Sequence, residues 1–341
     1  MRAARLHAYS KPLTIEEVPN PRPAHGQVVV RVEGAGFCHS DVHVIDGEIP
    51  VLPRLPVTLG HENAGTVAEV GSGVSAVRAG DRVLVYGGWG EGSCDYCVSG
   101  VEQLCEQPRW GGLSDLDGGY AEYLLVPHER YLVKLERLEP RQAAPLADAA
   151  LTPYRAIKRA LPYIDPQHGV LVIGVGGLGQ YGLKLLRLMA AADVVALDVA
   201  ADKRDLARQL GAARAFDPRD PGTAKQILEV SRGGVSASFD FVGADSTLAL
   251  ALEVTRPGGK VSQIGLAGGT ARLTVPDTVR FEVAFEATLW GTIKELREVV
   301  ALAESGRLTP IDVELAPLEA INEVHRRVKA GDVRGRVVIT P

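Results

Sequence analysis

The chain has 341 residues, enough for one large or two ordinary domains with a sizeable core, and its 46% hydrophobic and 23% charged residues are ordinary for a globular protein. A formal net charge of -5, with no basic block longer than a couple of residues, argues against a nucleic-acid surface. The most apolar stretch, Val170 to Gly179, is too short and too glycine-rich to span a bilayer, and no apolar run follows the basic N-terminal residues, so a cytoplasmic protein without a membrane anchor is expected.

Taken in chain order, Pro19, Pro21 and Pro23 form a stiff connector near the start. Up to about residue 145 the pattern is one of short β-strands punctuated by Gly, Pro and Asp: Val28–Val32, Gly65–Val70 and Arg82–Tyr86 are β-branched runs of this kind. After residue 145 apolar strands alternate with helical segments, the signature of a doubly wound parallel sheet. Strands are expected at Val170–Ile173, Val194–Asp198, Ala237–Val242 and Lys260–Ile264. Helices are expected at Leu178–Ala190, Asp202–Leu210, Ala224–Val230 and Ser246–Val254. From about Thr288 two helical patterns precede a final strand, Arg336–Thr340. Pattern alone leaves open whether this segment closes the second domain or returns to the first.

Gly174-Val175-Gly176-Gly177-Leu178-Gly179 follows a strand and opens a helix. In that context the glycines let the backbone approach a pyrophosphate, which rests on the helix N-terminus. Asp198 stands about 20 residues on, at the end of the next strand, where an acidic residue takes the adenosine ribose hydroxyls. A carboxylate there repels a 2′-phosphate, so NAD is favoured over NADP, a preference that the nearby Lys203 and Arg204 can soften. The plainer alternative is a glycine turn packing helix on strand, with Asp198 as a helix cap.

All four cysteines fall where zinc ligands are expected. Three lie in the loop Glu91-x2-Cys94-x2-Cys97-x7-Cys105, after Gly87-Gly88-Trp89-Gly90. That glycine-rich run announces a loop, not the βαβ context of a redox Cys-x-x-Cys. Glu91 with these thiolates can close a tetrahedral structural site. The fourth, Cys38, precedes Gly60-His61-Glu62. Cys38 and His61 supply two ligands of a second site and leave a third to come from elsewhere. Asp148 stands in an apolar run and needs a partner, either a metal or a helix end.

With these residues assembled, the chain resembles the zinc-dependent alcohol dehydrogenases of the medium-chain dehydrogenase/reductase family over essentially its whole length. The resemblance rests on Gly60-His61-Glu62-x2-Gly65-x5-Gly71-x2-Val74, on Cys38-His39-Ser40-Asp41-Val42-His43 and on the glycine motif. It implies an α/β protein: a GroES-like β-rich catalytic domain over residues 1–148, a Rossmann NAD-binding domain over 149–288, and a return of 289–341 to the catalytic domain.

The resemblance also implies roles for single residues. Cys38, His61 and Asp148 would hold a catalytic zinc, with Asp148 where most relatives have Cys, and Glu62 would stand beside it. Ser40 would hydrogen-bond the substrate oxygen, and His43 would end a proton relay to solvent. Glu91, Cys94, Cys97 and Cys105 would hold a structural zinc. Gly174, Gly176, Gly177, Leu178, Gly179, Asp198, Lys203 and Arg336 would bind NAD, with Arg336 on the pyrophosphate. Trp89 and Trp110 would line the substrate cleft or pack in the core. The implied reaction is hydride transfer between an alcohol and NAD, yielding an aldehyde or ketone, with zinc as Lewis acid. The implied assembly is a homotetramer. A polyol or threonine dehydrogenase of the same fold, or a non-catalytic cofactor-binding protein, is the alternative.

Overall fold

The computed structural model describes residues 1–276 and 279–341. These divide into two compact units, Met1–Leu151 with Trp290–Pro341, and Thr152–Leu289. No helix among the described residues is long and apolar enough to cross a membrane.

The first unit is built around one long strand, Val28–Phe37, a valine-rich run buried along most of its length. It pairs antiparallel with Glu62–Val70 on one side. On the other it pairs with Tyr123–Val126 at its start and with Arg336–Thr340 at its end. The last strand of the chain therefore belongs to this unit's sheet. The register positions the chemistry, because Gly36 lies opposite Glu62 and Phe37 opposite Val337. Cys38, His61 and Arg336, each one residue beyond a paired position, thus meet at one end of the sheet. Gly36 has a steric reason to be glycine: a Cβ there would lie 1.9 Å from Glu62 Oε2. The strands Arg82–Val85, Leu132–Lys134 and Val313–Pro317 complete this sheet. A second sheet of three strands joins Thr14–Glu17, Arg2–Leu6 and Val57–Thr58. The short helical turns Pro140–Ala143 and Ala144–Ala147 pack on Val28–Phe37 and Glu62–Val70, bringing in Asp148.

The second unit is a six-stranded parallel sheet whose strands, numbered within the unit, lie in the order 3-2-1-4-5-6. Its central strands Val170–Ile173, Val194–Leu197 and Val235–Asp240 are buried throughout, as a sheet covered on both faces requires. Their apolar side chains pack with Ile227, Ala251 and Val254 from the flanking helices. The switch point, where strand order reverses, falls between Val170–Ile173 and Val235–Asp240, and the glycine turn leaves the carboxyl end of the first of these.

The expected helices appear at Gly177–Met189, Ala201–Gln209, Thr223–Val230 and Asp245–Val254. Two further helices, Ile293–Glu304 and Ile321–Lys329, precede the last strand. Several short elements were not legible in the pattern, among them the helix His39–Asp46 and the strands Arg214–Phe216 and Ala284–Ala287.

Candidate metal and cofactor sites

Cys38 is the residue ahead of the helix His39–Asp46 and is almost wholly buried. Its Sγ lies 3.6 Å from Asp148 Oδ2, and His61 Nε2 lies 3.5 Å from the same oxygen. Ligands about 2.0–2.3 Å from a tetrahedral centre stand about 3.3–3.8 Å from one another, so these separations are those of a ligand shell. Cys38, His61, Glu62 and Asp148 each offer a donor atom within 4.8 Å of the others, and all four are buried. The donor set fits zinc: a thiolate, an imidazole and a carboxylate. Of the alternatives for Asp148, the structure therefore brings it into the cluster.

The residues around the cluster explain how it is held. Glu62, fully buried, receives two hydrogen bonds from the Arg336 guanidinium, Nε to Oε2 at 3.0 Å and Nη2 to Oε1 at 2.5 Å. Burial pushes the Glu62 carboxyl up to about 7, against the pull of Arg336. Arg336 Nη2 also stands 3.9 Å from Asp148 Oδ2. Arg336, which the sequence resemblance puts on a pyrophosphate, here bonds Glu62 of the acidic cluster. On the other side of His61, Nδ1 lies 3.4 Å from Asp41 Oδ1, just beyond a formed hydrogen bond, and neither atom has another partner. Asp41 is fully buried, and its other oxygen accepts from the Cys38 N–H and the Tyr120 hydroxyl, both at 2.9 Å.

Ser40 Oγ lies 3.7 Å from Cys38 Sγ, so the serine stands at the cluster's edge. His43 is one turn further along the same helix, its Nδ1 2.5 Å from Glu48 Oε2. Trp89 is packed in the core: only 1% exposed, it donates its indole N–H to the Tyr86 carbonyl and lies against Tyr131. Trp110 instead meets Trp290 edge-on at 6.3 Å, and Trp290 meets His61 edge-on at 5.6 Å. The wall nearest His61 is thus Trp290, anchored by its indole N–H to the Ala147 carbonyl. Sequence reading had no signal for Trp290, because the residues it meets, His61 and Trp110, lie far from it in the chain. Asp41 carried one, its place three residues after Cys38 at a helix start, where an acid bonds the preceding N–H.

In the cysteine loop, Glu91, Cys94, Cys97 and Cys105 bring one donor atom each within 4.8 Å. Cys94 and Cys105 Sγ are 3.7 Å apart, against about 3.8 Å for two thiolates on a tetrahedral zinc. Backbone N–H groups of Glu91 and Gln107 point at Cys105 Sγ and that of Gly92 at Cys97 Sγ, donors that favour sulfur charge. The Ser93 hydroxyl and the N–H groups of Cys94 and Ser93 hold the Glu91 carboxyl down to about 2, so it is ionised as a ligand must be. This donor set also fits zinc.

In the second unit the glycine turn is shaped by close backbone approach. Gly174 has φ +87, and a Cβ on Gly179 would lie 1.8 Å from the Gly174 carbonyl oxygen, so helix and strand approach closely. Gly176 precedes and Gly177 opens the helix Gly177–Met189, and Leu178 follows in its first turn. Asp198 follows the strand Val194–Leu197 directly, and its carboxylate accepts from the N–H of Val175 at 2.8 Å and of Ala200 at 2.9 Å. The acid is thereby held at the mouth of the turn. Arg204 is engaged by the carbonyls of Asp198 and Val199 and by Asp217, and Lys203 precedes it in the helix Ala201–Gln209.

Known proteins resemble this chain over its whole length. A family model described as alcohol dehydrogenase GroES-like domain matches residues 24–137, and one described as zinc-binding dehydrogenase matches 177–305. An NAD-dependent alcohol dehydrogenase of Sulfurisphaera tokodaii is 37% identical over 350 residues, covering 100% of both chains. A D-arabinose 1-dehydrogenase (NADP(+)) of Saccharolobus solfataricus is 37% identical over 346 residues, covering 100% of this chain and 97% of the relative. The crystal structure of the alcohol dehydrogenase from Aeropyrum pernix superposes with a TM-score of 0.94 at 39% identity, covering 100% of both chains.

Proposed function

The chain belongs to the zinc-dependent alcohol dehydrogenases of the medium-chain dehydrogenase/reductase family, and from that premise we propose which of its residues carry the reaction. The enzyme interconverts alcohols and aldehydes or ketones with NAD. In this proposal Cys38, His61 and Asp148 hold the catalytic zinc, and Glu91, Cys94, Cys97 and Cys105 the structural one. The observation that carries it is the buried cluster of Cys38, His61, Glu62 and Asp148, whose donor atoms converge within 4.8 Å.

Bound there, zinc supplies a Lewis acid at the substrate oxygen and NAD the hydride acceptor. The chain's own residues do the rest. Ser40, at the edge of the cluster, hydrogen-bonds the substrate hydroxyl, and His43 passes the released proton to solvent with Glu48 behind it. Arg336 keeps the Glu62 carboxylate compensated next to the reacting centre. Trp290 and Trp110 wall the substrate on its apolar side and keep water out. The N-terminus of Gly177–Met189 takes the pyrophosphate, and Asp198 with Lys203 takes the adenosine ribose. The ribose assignment supports NAD over NADP, because the fixed Asp198 carboxylate opposes a 2′-phosphate.

The finer reading places the enzyme in the cytoplasm as a homotetramer. It rests on analogy with bacterial and archaeal members and on the open edge strand Ala284–Ala287 of the parallel sheet; light scattering on the eluting protein tests the assembly.

Reduced-nicotinamide absorbance tests the reaction, with NAD or NADP against primary, secondary, aromatic and polyhydric alcohols and D-arabinose, with and without a zinc chelator. Chelator-sensitive reduction of NAD by a simple alcohol is the expected outcome. Turnover confined to the polyhydric alcohols would move the enzyme to the polyol reading.

A further inference from the structure

Tyr120 lies in the glycine-rich segment Asp117–Ala121, matches none of the motifs above, and is fully buried. Its hydroxyl donates to Asp41 Oδ2 at 2.9 Å, with the Gly36 carbonyl a second acceptor at 3.2 Å. Burial, next to the Asp41 charge, pushes the phenol well above its ordinary value, so the O–H keeps its proton and remains a donor. The ring stacks on Phe37 at 5.5 Å and 13°. It also lies against Gly60, where φ is +100 and a Cβ would come within 2.8 Å of the ring.

The backbone around Tyr120 is tied to the same region. Gly118 N–H bonds Thr58 O at 2.7 Å, Gly119 N–H bonds Gly60 O at 2.9 Å, and Tyr120 N–H bonds Leu59 O at 3.0 Å. One residue thus touches the segment leading into His61, the carbonyl two residues before Cys38, and the carboxylate that faces His61 Nδ1.

We propose that Tyr120 is a positioning residue for the metal site: its hydroxyl fixes the Asp41 carboxylate, and Asp41 in turn orients the His61 ring so that Nε2 faces Cys38 and Asp148. The inference rests on the reading of His61 as a zinc ligand. The physical logic is that of an outer hydrogen-bond shell. A ligating imidazole needs its other N–H directed at an acceptor, and that acceptor must itself be held. Asp41 Oδ1 is 3.4 Å from His61 Nδ1, and its orientation depends on two bonds to Oδ2, from Cys38 N–H and Tyr120 O–H. Tyr120→Phe keeps the ring stacking and removes one of the two.

The test is metal binding by the metal-stripped full chain, titrated with Zn²⁺ against a chromophoric chelator and with Co²⁺ for its ligand-field spectrum. Wild type is expected to bind two equivalents, the cysteine loop serving as an internal control. Tyr120→Phe should weaken one equivalent by about tenfold and alter its cobalt spectrum, leaving the other unchanged. Asp41→Asn should weaken the same equivalent at least as much. Adding Tyr120→Phe to Asp41→Asn should cost little more, because the tyrosine acts through the carboxylate.

Equal affinity and an identical cobalt spectrum in Tyr120→Phe would overturn the proposal while leaving the zinc site intact. A tenfold loss persisting in the Asp41→Asn background would overturn the route through Asp41. A wild-type protein holding one equivalent only, at the cysteine loop, would take the zinc reading down and the proposal with it.

Discussion

Replacing Arg336 by Met removes the guanidinium that bonds Glu62 in the buried acidic cluster. Both partners are nearly or wholly inaccessible, Arg336 at 6% exposure and Glu62 at 0%. Opposite charges about 4 Å apart attract by about 4 kcal/mol at an effective dielectric of about 20. Removing one partner of such a pair costs about 3–5 kcal/mol, because the survivor stays buried and uncompensated. Here the survivor is not alone: Asp148, 3.9 Å from the guanidinium, loses the same neighbour. Because burial already pushes the Glu62 carboxyl up to about 7, it takes a proton once Arg336 is gone, so the expected loss in the metal-free protein is at the lower end, about 3 kcal/mol. Arg336→Met with Glu62→Gln removes both charges and should recover about 2–3 kcal/mol of it, a coupling typical of residues in contact.

Urea unfolding followed by tryptophan fluorescence is the assay. Trp89, Trp110 and Trp290 all lie in the first unit, so the signal follows the unit that holds the pair. With a slope of about 1–3 kcal/mol per molar urea, the single variant should unfold at least about 1 M earlier than wild type. Saturating zinc should narrow the gap by restoring positive charge to the cluster. A loss below about 1 kcal/mol in the metal-free single variant, or a double variant as weak as the sum of the two singles, would refute the reasoning.

Three further outcomes are expected. His61→Ala should lower bound zinc by one of two equivalents and abolish turnover, whereas Cys97→Ser should lose the other equivalent and cost mainly thermal stability; elemental analysis beside a melting curve separates them. Asp198→Ala should raise the KM for NAD at least about tenfold, leave that for alcohol nearly unchanged and improve NADP relative to NAD; an unaltered NAD constant sinks the ribose assignment. Glu304 accepts from the N–H groups of Glu136, Arg137 and Leu138, and although burial opposes it, these bonds hold its carboxyl below the usual range. Its folded-state pKa is depressed, so its contribution is present above the unfolded value and fades as pH falls through the folded one. Glu304→Gln should cost about 1–3 kcal/mol at neutral pH and progressively less in acid, and a pH-independent difference would count against the bonding.

What the sequence made legible is what local geometry dictates. The glycine turn is read from one strand, one turn and one helix, all within twenty residues, because backbone approach to a pyrophosphate needs glycines at fixed spacing. The cysteine loop is equally local. What stayed hidden depends on register across the first unit's sheet. Glu62 and Arg336 are 274 residues apart, and only the pairing of the last strand with Val28–Phe37 brings them together. Asp148 joined the ligand set only through the family resemblance, because a single acid in an apolar run does not say what it faces. Tyr120 and Trp290 gave no signal at all, since an aromatic's role is set by its neighbours and both have theirs far along the chain. Short elements such as His39–Asp46 were missed because eight polar-rich residues carry too little periodicity to stand out.

The buried charges around His61 have a consequence for how metal and fold depend on each other. Cys38, Asp41, Glu62 and Asp148 are all buried acids or potential thiolates, and Arg336 is the cation set among them. Although burial opposes it, the carboxylates of Asp41 and Asp148 push the His61 imidazole well above its ordinary value, so it adds a positive charge without metal; His61 and Arg336 together are still outnumbered wherever Cys38, Asp41, Glu62 and Asp148 are ionised. Burial of like charges is unfavourable, and the cluster relieves it only by taking up protons or a divalent cation. Zinc binding is therefore coupled to folding of the first unit and to proton release, because thiol and carboxyl protons must leave as the metal enters. The same crowding of acids that makes the metal-free unit less stable is what makes the site attract a cation, and Arg336 limits the first effect by compensating Glu62 without occupying the ligand positions of Cys38, His61 and Asp148.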